Sequence, residues 1–125
     1  MRTSFVADQV TVERREHSVL HFLASSAAAP RPYVSVTRSP LLASKPYGDL
    51  HFEWCGQGYG AYDVIRTCEL SEHGVRFTLS ENALEDFDGE LTYDVSWSLP
   101  HDAQRRVYKG LRRLFRCTMI LKVVR

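Results

Sequence analysis

Histidine and cysteine are the residue types that most often bind metal ions, and the chain has five histidines and three cysteines. Two pairs have a spacing of four residues, His17 with His21 and His51 with Cys55. On a helix this spacing places both side chains on one face, but both pairs lie in segments with strand-like alternation. Four residues of a strand span about 13 Å, which is too far for two ligands of one ion. We therefore expect histidines on the solvent face or in the core, and no bound metal.

Nucleophilic catalysis also lacks a recognisable residue set. The serines lie in alternating strands or turns, and no Gly-x-Ser-x-Gly sequence is present. The three cysteines, Cys55, Cys68 and Cys117, are odd in number and widely spaced, which does not indicate a disulfide framework. We expect reduced thiols, no cofactor and no enzyme activity.

Carboxylates are concentrated near an "FDG" turn signal at 87–89. The cluster consists of Glu81, Glu85, Asp86, Asp88 and Glu90. Paired carboxylates can act as general acid and base, but a cluster on an exposed turn is more often solvated. Such a surface can also occupy a basic site on a partner protein. We favour this second use over catalysis.

Residues 56–60 read GQGYG, which raises the possibility of a phosphate-binding loop. That loop type leads into a helix whose N-terminal amides contact the anion. The residues that follow, AYDVIRTCEL (61–70), are β-branched and aromatic and have no helical period. A β-hairpin with glycines at positive φ is the better interpretation. A hairpin does not require Tyr59 at its tip, so Tyr59 and its neighbours Gln57, Tyr62 and Asp63 are predicted to contact a partner protein.

An amphipathic helix is predicted from Pro100 to about Arg116. Its apolar side consists of Ala103, Val107, Leu111, Leu114 and Phe115, and its opposite side of Arg105, Arg106, Lys109, Arg112, Arg113 and Arg116. Pro100 suits the first helical turn, and Asp102 complements the helix dipole. Six cations on one side could follow a nucleic-acid backbone, but the solvated face of a helix packed on a sheet has the same pattern. We favour the structural interpretation and keep nucleic-acid binding as the alternative.

Alternating apolar and polar residues predict strands in most of the remaining chain. Leu91, Tyr93, Val95 and Trp97 interleave with polar residues, and Phe52 and Trp54 do the same, which places Trp54 in the core. Further strands are predicted over 4–13, 18–25, 33–38, 61–70, 75–79 and 118–124. We predict a single α+β domain over residues 1–125, with a mainly antiparallel β-sheet meander and the helix packed on one face.

Composition restricts the class of protein. The chain has 125 residues, 44% hydrophobic and 25% charged, and no apolar stretch long enough to cross a bilayer. The net charge is only +1, but residues 49–94 hold eleven acids and two arginines, whereas residues 103–125 hold eight Lys or Arg and no acid. We expect a cytoplasmic protein without membrane association, and the acidic middle of the chain disfavours nucleic acid.

Three stretches, RPYVSVTRS (31–39), LHFEWCGQGYGAYDVIRTCELSEHGVRFTL (50–79) and GLRRLF (110–115), resemble the immunity protein 10 family of bacterial polymorphic toxin systems. The resemblance covers roughly residues 5–116, and Gln57, Tyr59 and the LRRLF helix end are its most specific parts. It implies a cytoplasmic protein that binds and neutralises a toxin domain, without catalysis or cofactor. The chain departs from the family in its basic C-terminal part and in residues 117–125, which extend beyond the helix.

These observations together predict an immunity protein whose partner is a cognate toxin domain. The acidic 81–94 segment and the 57–63 loop would cover a basic active site. The predicted partner-binding residues are Glu53, Gln57, Tyr59, Tyr62, Asp63, Glu85, Asp86 and Asp88. The alternative is a small nucleic-acid-binding module that uses the basic face of the helix. No sequence feature specifies the toxin or an oligomeric state.

Overall fold

The computed structural model describes residues 2–14, 18–24, 31–39, 49–54, 59–116 and 118–124. Within these residues the chain forms ten strands: β1 (Arg2–Ala7), β2 (Gln9–Arg14), β3 (Ser18–Leu23), β4 (Tyr33–Ser39), β5 (Asp49–Trp54), β6 (Tyr59–Tyr62), β7 (Ile65–Ser71), β8 (Gly74–Leu79), β9 (Thr92–Trp97) and β10 (Leu121–Val123). One α-helix, α1, spans His101–Leu114, and a 3-10 helix spans Glu81–Ala83. The predicted α+β class is confirmed.

The strands form two five-stranded sheets, where the sequence suggested one. Sheet A has the order β1-β9-β8-β7-β10, and sheet B has the order β2-β3-β4-β5-β6. Sheet B is an antiparallel meander, as predicted. In sheet A the outer strands β1 and β10 run parallel to β9 and β7. Side chains alternate in the same way in parallel and antiparallel pairs, so alternation alone does not separate the two arrangements.

Two segments predicted as single strands bend and pass from one sheet to the other. The 4–13 segment divides at Asp8 into β1 and β2, and the 61–70 segment divides at Asp63 into β6 and β7. Asp63 has a positive φ of 57°, which aspartate tolerates better than most residues. Its N–H donates to the carbonyl of Leu50 at 2.7 Å, and its carboxylate accepts the Leu50 N–H at 3.3 Å. Asp63 therefore has a structural role at this corner.

Aromatic rings join the inner faces of the two sheets. The ring of Phe22 in β3 lies 6.2 Å from that of Phe77 and 5.8 Å from that of Trp97. The ring of Phe52 in β5 lies 5.4 Å from that of Phe77 and 5.2 Å from that of Tyr93. These residues belong to one hydrophobic cluster that includes both sheets and the helix.

Helix α1 packs against β2, β3 and β4 of sheet B. Val107, Leu111 and Leu114 are buried, as the helical period predicted. Gly110 allows the helix to approach the sheet closely, because a Cβ at this position would lie 2.6 Å from Cδ1 of Leu20. A larger residue would require the Leu20 side chain or the helix to shift.

Arg38 of β4 closes the C-terminal end of α1. It is 9% exposed, and its guanidinium donates to the carbonyls of Leu114 at 2.9 Å and Arg116 at 2.8 Å. Carbonyls at a helix C-terminus lack intrahelical donors and carry partial negative charge. Arg38 is on the same face of β4 as Val34 and Val36, so the strand places a charged residue on the inner face of sheet B.

The C-terminal strand is shorter than the predicted 118–124 segment. Strand β10 lies beside β7, with Lys122 opposite Glu69. The predicted C-terminal strand is therefore confirmed over Leu121–Val123. Met119 and Val123 nevertheless stay exposed.

Candidate partner-binding surface

The acidic segment, residues 81–90, connects β8 to β9 and contains three of the predicted partner-binding residues. After the 3-10 helix, the Phe87 N–H donates to the Ala83 carbonyl at 3.2 Å, and the Gly89 N–H to the Leu84 carbonyl at 2.8 Å. Asp88 and Gly89 have positive φ angles of 53° and 82°, and the chain turns here towards β9. A series of turns therefore fixes the backbone of the acidic segment.

Two apolar side chains anchor the acidic segment in the core. Ala83 is 0% exposed and Phe87 is 1% exposed. Leu84, in contrast, is 48% exposed. The exposed carboxylates of the segment are Glu81, Glu85, Asp86 and Asp88, and Glu90 is half-buried. The core thus holds a group of carboxylates and an apolar side chain in defined positions at the surface.

Phe87 also connects the acidic segment to the β5–β6 hairpin. Its ring lies 5.7 Å from that of Phe52 and 6.2 Å from that of Tyr59. Tyr59 pairs with Trp54 across the hairpin, so the predicted hairpin is confirmed by the strands that flank residues 55–58, which lie outside the described residues. Gly60 lies within β6 and does not have the predicted positive φ. The expectation of Tyr59 as a tip residue is wrong. Tyr59 is the first residue of β6, and its half-buried ring packs against the core because the register places it beside Trp54.

Trp54, predicted to be a core residue, is half-buried and packs against the core. Its ring lies 5.7 Å from the rings of Phe5 and Tyr93. The Tyr93 hydroxyl is buried and has no hydrogen-bond partner among the described residues. Burial, with smaller contributions from Glu90 and Tyr59, raises the pKa of Tyr93. A neutral phenol therefore lies between the hairpin and the acidic segment.

Of the remaining predicted residues, Gln57 lies outside the described residues and Asp63 forms the corner between β6 and β7. Asp63 is exposed. Its hydrogen bonds with Leu50 already explain its position at this corner without a partner protein.

Glu53 and Tyr62 lie on the face of sheet B that is turned away from the core. They belong to a cluster that we call the outer-face patch, which consists of His21, Tyr33, His51, Glu53 and Tyr62. The Tyr33 hydroxyl donates to Oε2 of Glu53. The ring of His21 stacks on Tyr33 at 4.8 Å, and His51 meets Tyr62 edge to face at 4.7 Å. Alternation predicted the outward direction of His51 and Glu53, whereas the strand register brings His21 and Tyr33 to Glu53.

The basic face of α1 lies elsewhere on the molecule. Its exposed cations are Arg105, Arg106, Lys109 and Arg112, while Arg113 is half-buried. Arg116 is also exposed, but it lies beyond Leu114, where the helix ends, and not within the helix as predicted. The guanidinium carbon of Arg112 lies 5.6 Å from the centre of the Tyr108 ring. The helix contacts β2, β3 and β4, whereas the acidic segment contacts β5 and β6 through Phe87. The two charged surfaces therefore adjoin different strands of sheet B.

Metal-ligand groups and the described cysteine are the sites of chemistry considered in the sequence. The described part of the chain contains no group of three or more His, Cys, Asp or Glu residues that could hold a metal ion. Cys68 is buried, and burial, together with Glu69, raises the pKa of its thiol. The distinguishing features of this part are its charged and aromatic surfaces.

The chain matches no family model, no curated protein and no solved structure. The helices within the described ranges are too short or too polar to cross a membrane. The resemblance to the immunity protein 10 family therefore stays a prediction from the sequence.

Proposed function

We propose that this protein binds a partner protein with a basic surface, and that it acts in the cytoplasm as an immunity protein against a cognate toxin domain. The observation that carries the proposal is the attachment of the acidic segment. Ala83 and Phe87 are fully buried beneath it, while Glu85, Asp86 and Asp88 face solvent.

Attachment to the core affects binding in two ways. Because the turns and Phe87 already order the segment, less conformational entropy is lost when a partner binds than with a disordered acidic loop. The exposed Leu84 and the half-buried Tyr59 add apolar contact area next to the carboxylates. Aromatic and apolar contacts surrounded by charge are typical of protein interfaces.

A basic active site is a suitable partner for such a surface. Enzymes that act on nucleic acids use lysine and arginine to bind phosphates, and carboxylates can occupy the same positions. Binding would then block the site by steric and electrostatic means. The resemblance of three sequence stretches to immunity proteins supports a toxin as the partner.

The test is co-expression in a bacterial host with the C-terminal domain encoded by the neighbouring reading frame. We expect the domain alone to stop growth and this protein to restore it. Asp86→Lys should reduce the rescue, because it reverses an exposed charge. Asp86 is chosen over Asp88 because Asp88 has a positive φ, at which a lysine would strain the backbone. Glu72→Lys is the matched control, since Glu72 is an exposed carboxylate at the opposite end of the β7–β8 hairpin. Absence of rescue, or equal rescue by both variants, would contradict the proposal.

Nucleic-acid binding by the basic face of α1 is the second candidate function. Its support is the exposure of four cations on the helix and of Arg116 just after the helix ends. Salt-sensitive binding to random duplex DNA or RNA, weakened by Arg105→Ala and Arg106→Ala, would favour this candidate. The same substitutions should leave the growth rescue unchanged if the acidic segment is the binding surface.

A further inference from the structure

The outer-face patch has a composition that the stability of sheet B does not require. One face of an antiparallel sheet can remain solvated and needs only polar residues that suit strands. Here the solvated face carries two histidine–tyrosine pairs and a carboxylate between them. Tyr62 is 59% exposed, although its ring contacts His51.

Glu53 lies between the two pairs. It is opposite Ser35 of β4 and Gly60 of β6. Tyr33 and Tyr62 therefore occupy diagonal positions on either side of it, about 7–8 Å away as for diagonal neighbours in a sheet. Glycine at position 60 leaves room beside Glu53, because a Cβ there would lie 3.1 Å from the His51 ring and 3.7 Å from Cγ of Glu53.

The chemistry of Glu53 defines what would bind there. Its Oε2 accepts the Tyr33 hydroxyl, which orients the carboxylate, and it forms no ion pair within the described part of the chain. A planar cation can donate to a carboxylate and at the same time stack on a neighbouring aromatic ring. Arginine meets both requirements, whereas lysine is a compact, strongly hydrated charge without a planar face. Phosphate groups would be repelled by the carboxylate.

We infer that the outer-face patch is a docking surface for an arginine side chain of the partner protein. Glu53 binds the guanidinium group, Tyr33 orients Glu53, and Tyr62 provides the exposed ring. The inference rests on the proposed function in one respect, which is that the partner is basic. It assigns a second contact region, separate from the acidic segment.

The test uses the peptide acetyl-Gly-Arg-Gly-amide, titrated into isotopically labelled protein and followed by NMR. We expect saturable shift changes at the Glu53 carboxyl and the Tyr62 ring. The lysine peptide should bind more weakly, and the citrulline peptide, which has the same shape without the charge, should not bind. Glu53→Gln should weaken arginine-peptide binding about fivefold, as for loss of an exposed ion pair.

Glu13→Gln is the matched control variant, because Glu13 is an exposed carboxylate on the same face of sheet B, at the edge strand β2. It should bind the arginine peptide like the unmodified protein. Equal binding of arginine and lysine peptides, shifts confined to residues 81–90, or unchanged binding by Glu53→Gln would overturn the inference. Thermal melts of both variants verify that each is folded.

Co-expression separates this inference from the proposed function. If Glu53→Lys rescues growth as well as the unmodified protein while Asp86→Lys does not, the proposed function stands and the outer-face patch is not part of the interface. If the arginine peptide binds the patch but no rescue occurs, the proposed partner is wrong and the arginine site stands.

Discussion

The acidic segment and the basic face of α1 carry opposite charge, but they are attached to the protein in different ways. Helix α1 satisfies most of its own backbone hydrogen bonds, is buried along Val107, Leu111 and Leu114, and is closed at its end by Arg38. The backbone of the acidic segment is held by turns, and Phe87 is the one large side chain of the segment that is buried in the core. A charged surface can therefore depend on several buried residues or almost entirely on one.

This difference has a consequence for mutagenesis. Changes at the exposed charges of either surface should affect binding and leave stability nearly unchanged. Changes at the anchors should affect stability, and at Phe87 they should also disorder the carboxylates that the segment presents.

The largest effect is expected for Phe87→Ala. Removing a fully buried phenylalanine typically lowers the free energy of unfolding by about 3–5 kcal/mol. Because Phe87 contacts Phe52, Tyr59 and Tyr93, amide exchange should also accelerate across residues 81–90. Chemical denaturation and hydrogen exchange measure the two effects. Leu84→Ala in the same segment should change stability little, and a similar loss for both variants would show that Phe87 is not the anchor.

Leu111→Ala tests the corresponding position in the helix. We expect a loss of about 2–5 kcal/mol, as for a buried leucine, with Arg112→Ala near neutral as the control. Amide hydrogen exchange in the acidic segment should accelerate only as much as the loss of global stability predicts. Selective exposure of residues 81–90 in Leu111→Ala would mean that the two surfaces are coupled.

Arg38→Met removes the charged cap and keeps an apolar side chain of similar length. Loss of two hydrogen bonds to a charged group, at carbonyls that are then unsatisfied, should cost about 2–3 kcal/mol. Urea unfolding gives the value, and increased amide exchange in the last turn of α1 identifies its location. An unchanged urea midpoint would mean that water binds these carbonyls in place of the guanidinium, without a loss of stability.

Tyr59→Ala examines the contact between the hairpin and the acidic segment. Because the Tyr59 ring is half-buried and packs towards Phe87, we expect a loss of about 1–2 kcal/mol. Affinity for the partner should fall as well, by about 1–4 kcal/mol if Tyr59 is an interface anchor. Calorimetry and thermal melts separate the two quantities. Full stability together with full affinity would exclude Tyr59 from both roles.

The smallest effects on stability are expected for the exposed charges themselves. Asp86→Lys and Arg106→Glu should each change the unfolding free energy by no more than about 0.5 kcal/mol. Asp86→Lys should instead slow association with a basic partner, most strongly at low salt. Stopped-flow measurements at two ionic strengths would detect this. A large stability loss in either variant would mean that the charge belongs to the fold.

Much of the architecture could be predicted from local patterns. The period of α1 correctly assigned Val107, Leu111 and Leu114 to the core, and alternation in β9 correctly separated Tyr93, Val95 and Trp97 from their polar neighbours. These patterns are local consequences of burying one side of an element. The acidic surface was recognisable for the same reason, because its carboxylates are close together in sequence.

Tertiary structure decided the relations between distant residues. The division into two sheets depends on bends at Asp8 and Asp63, and alternation does not mark which residue bends. Arg38 reaches the end of α1, more than 70 residues later in the chain, and Tyr33 reaches Glu53 only through the β4–β5 register. By itself the sequence determined the elements, their buried sides and the segregation of charge. Which surfaces those charges form depends on register and packing, because a shift of one residue in a strand would exchange its inner and outer faces.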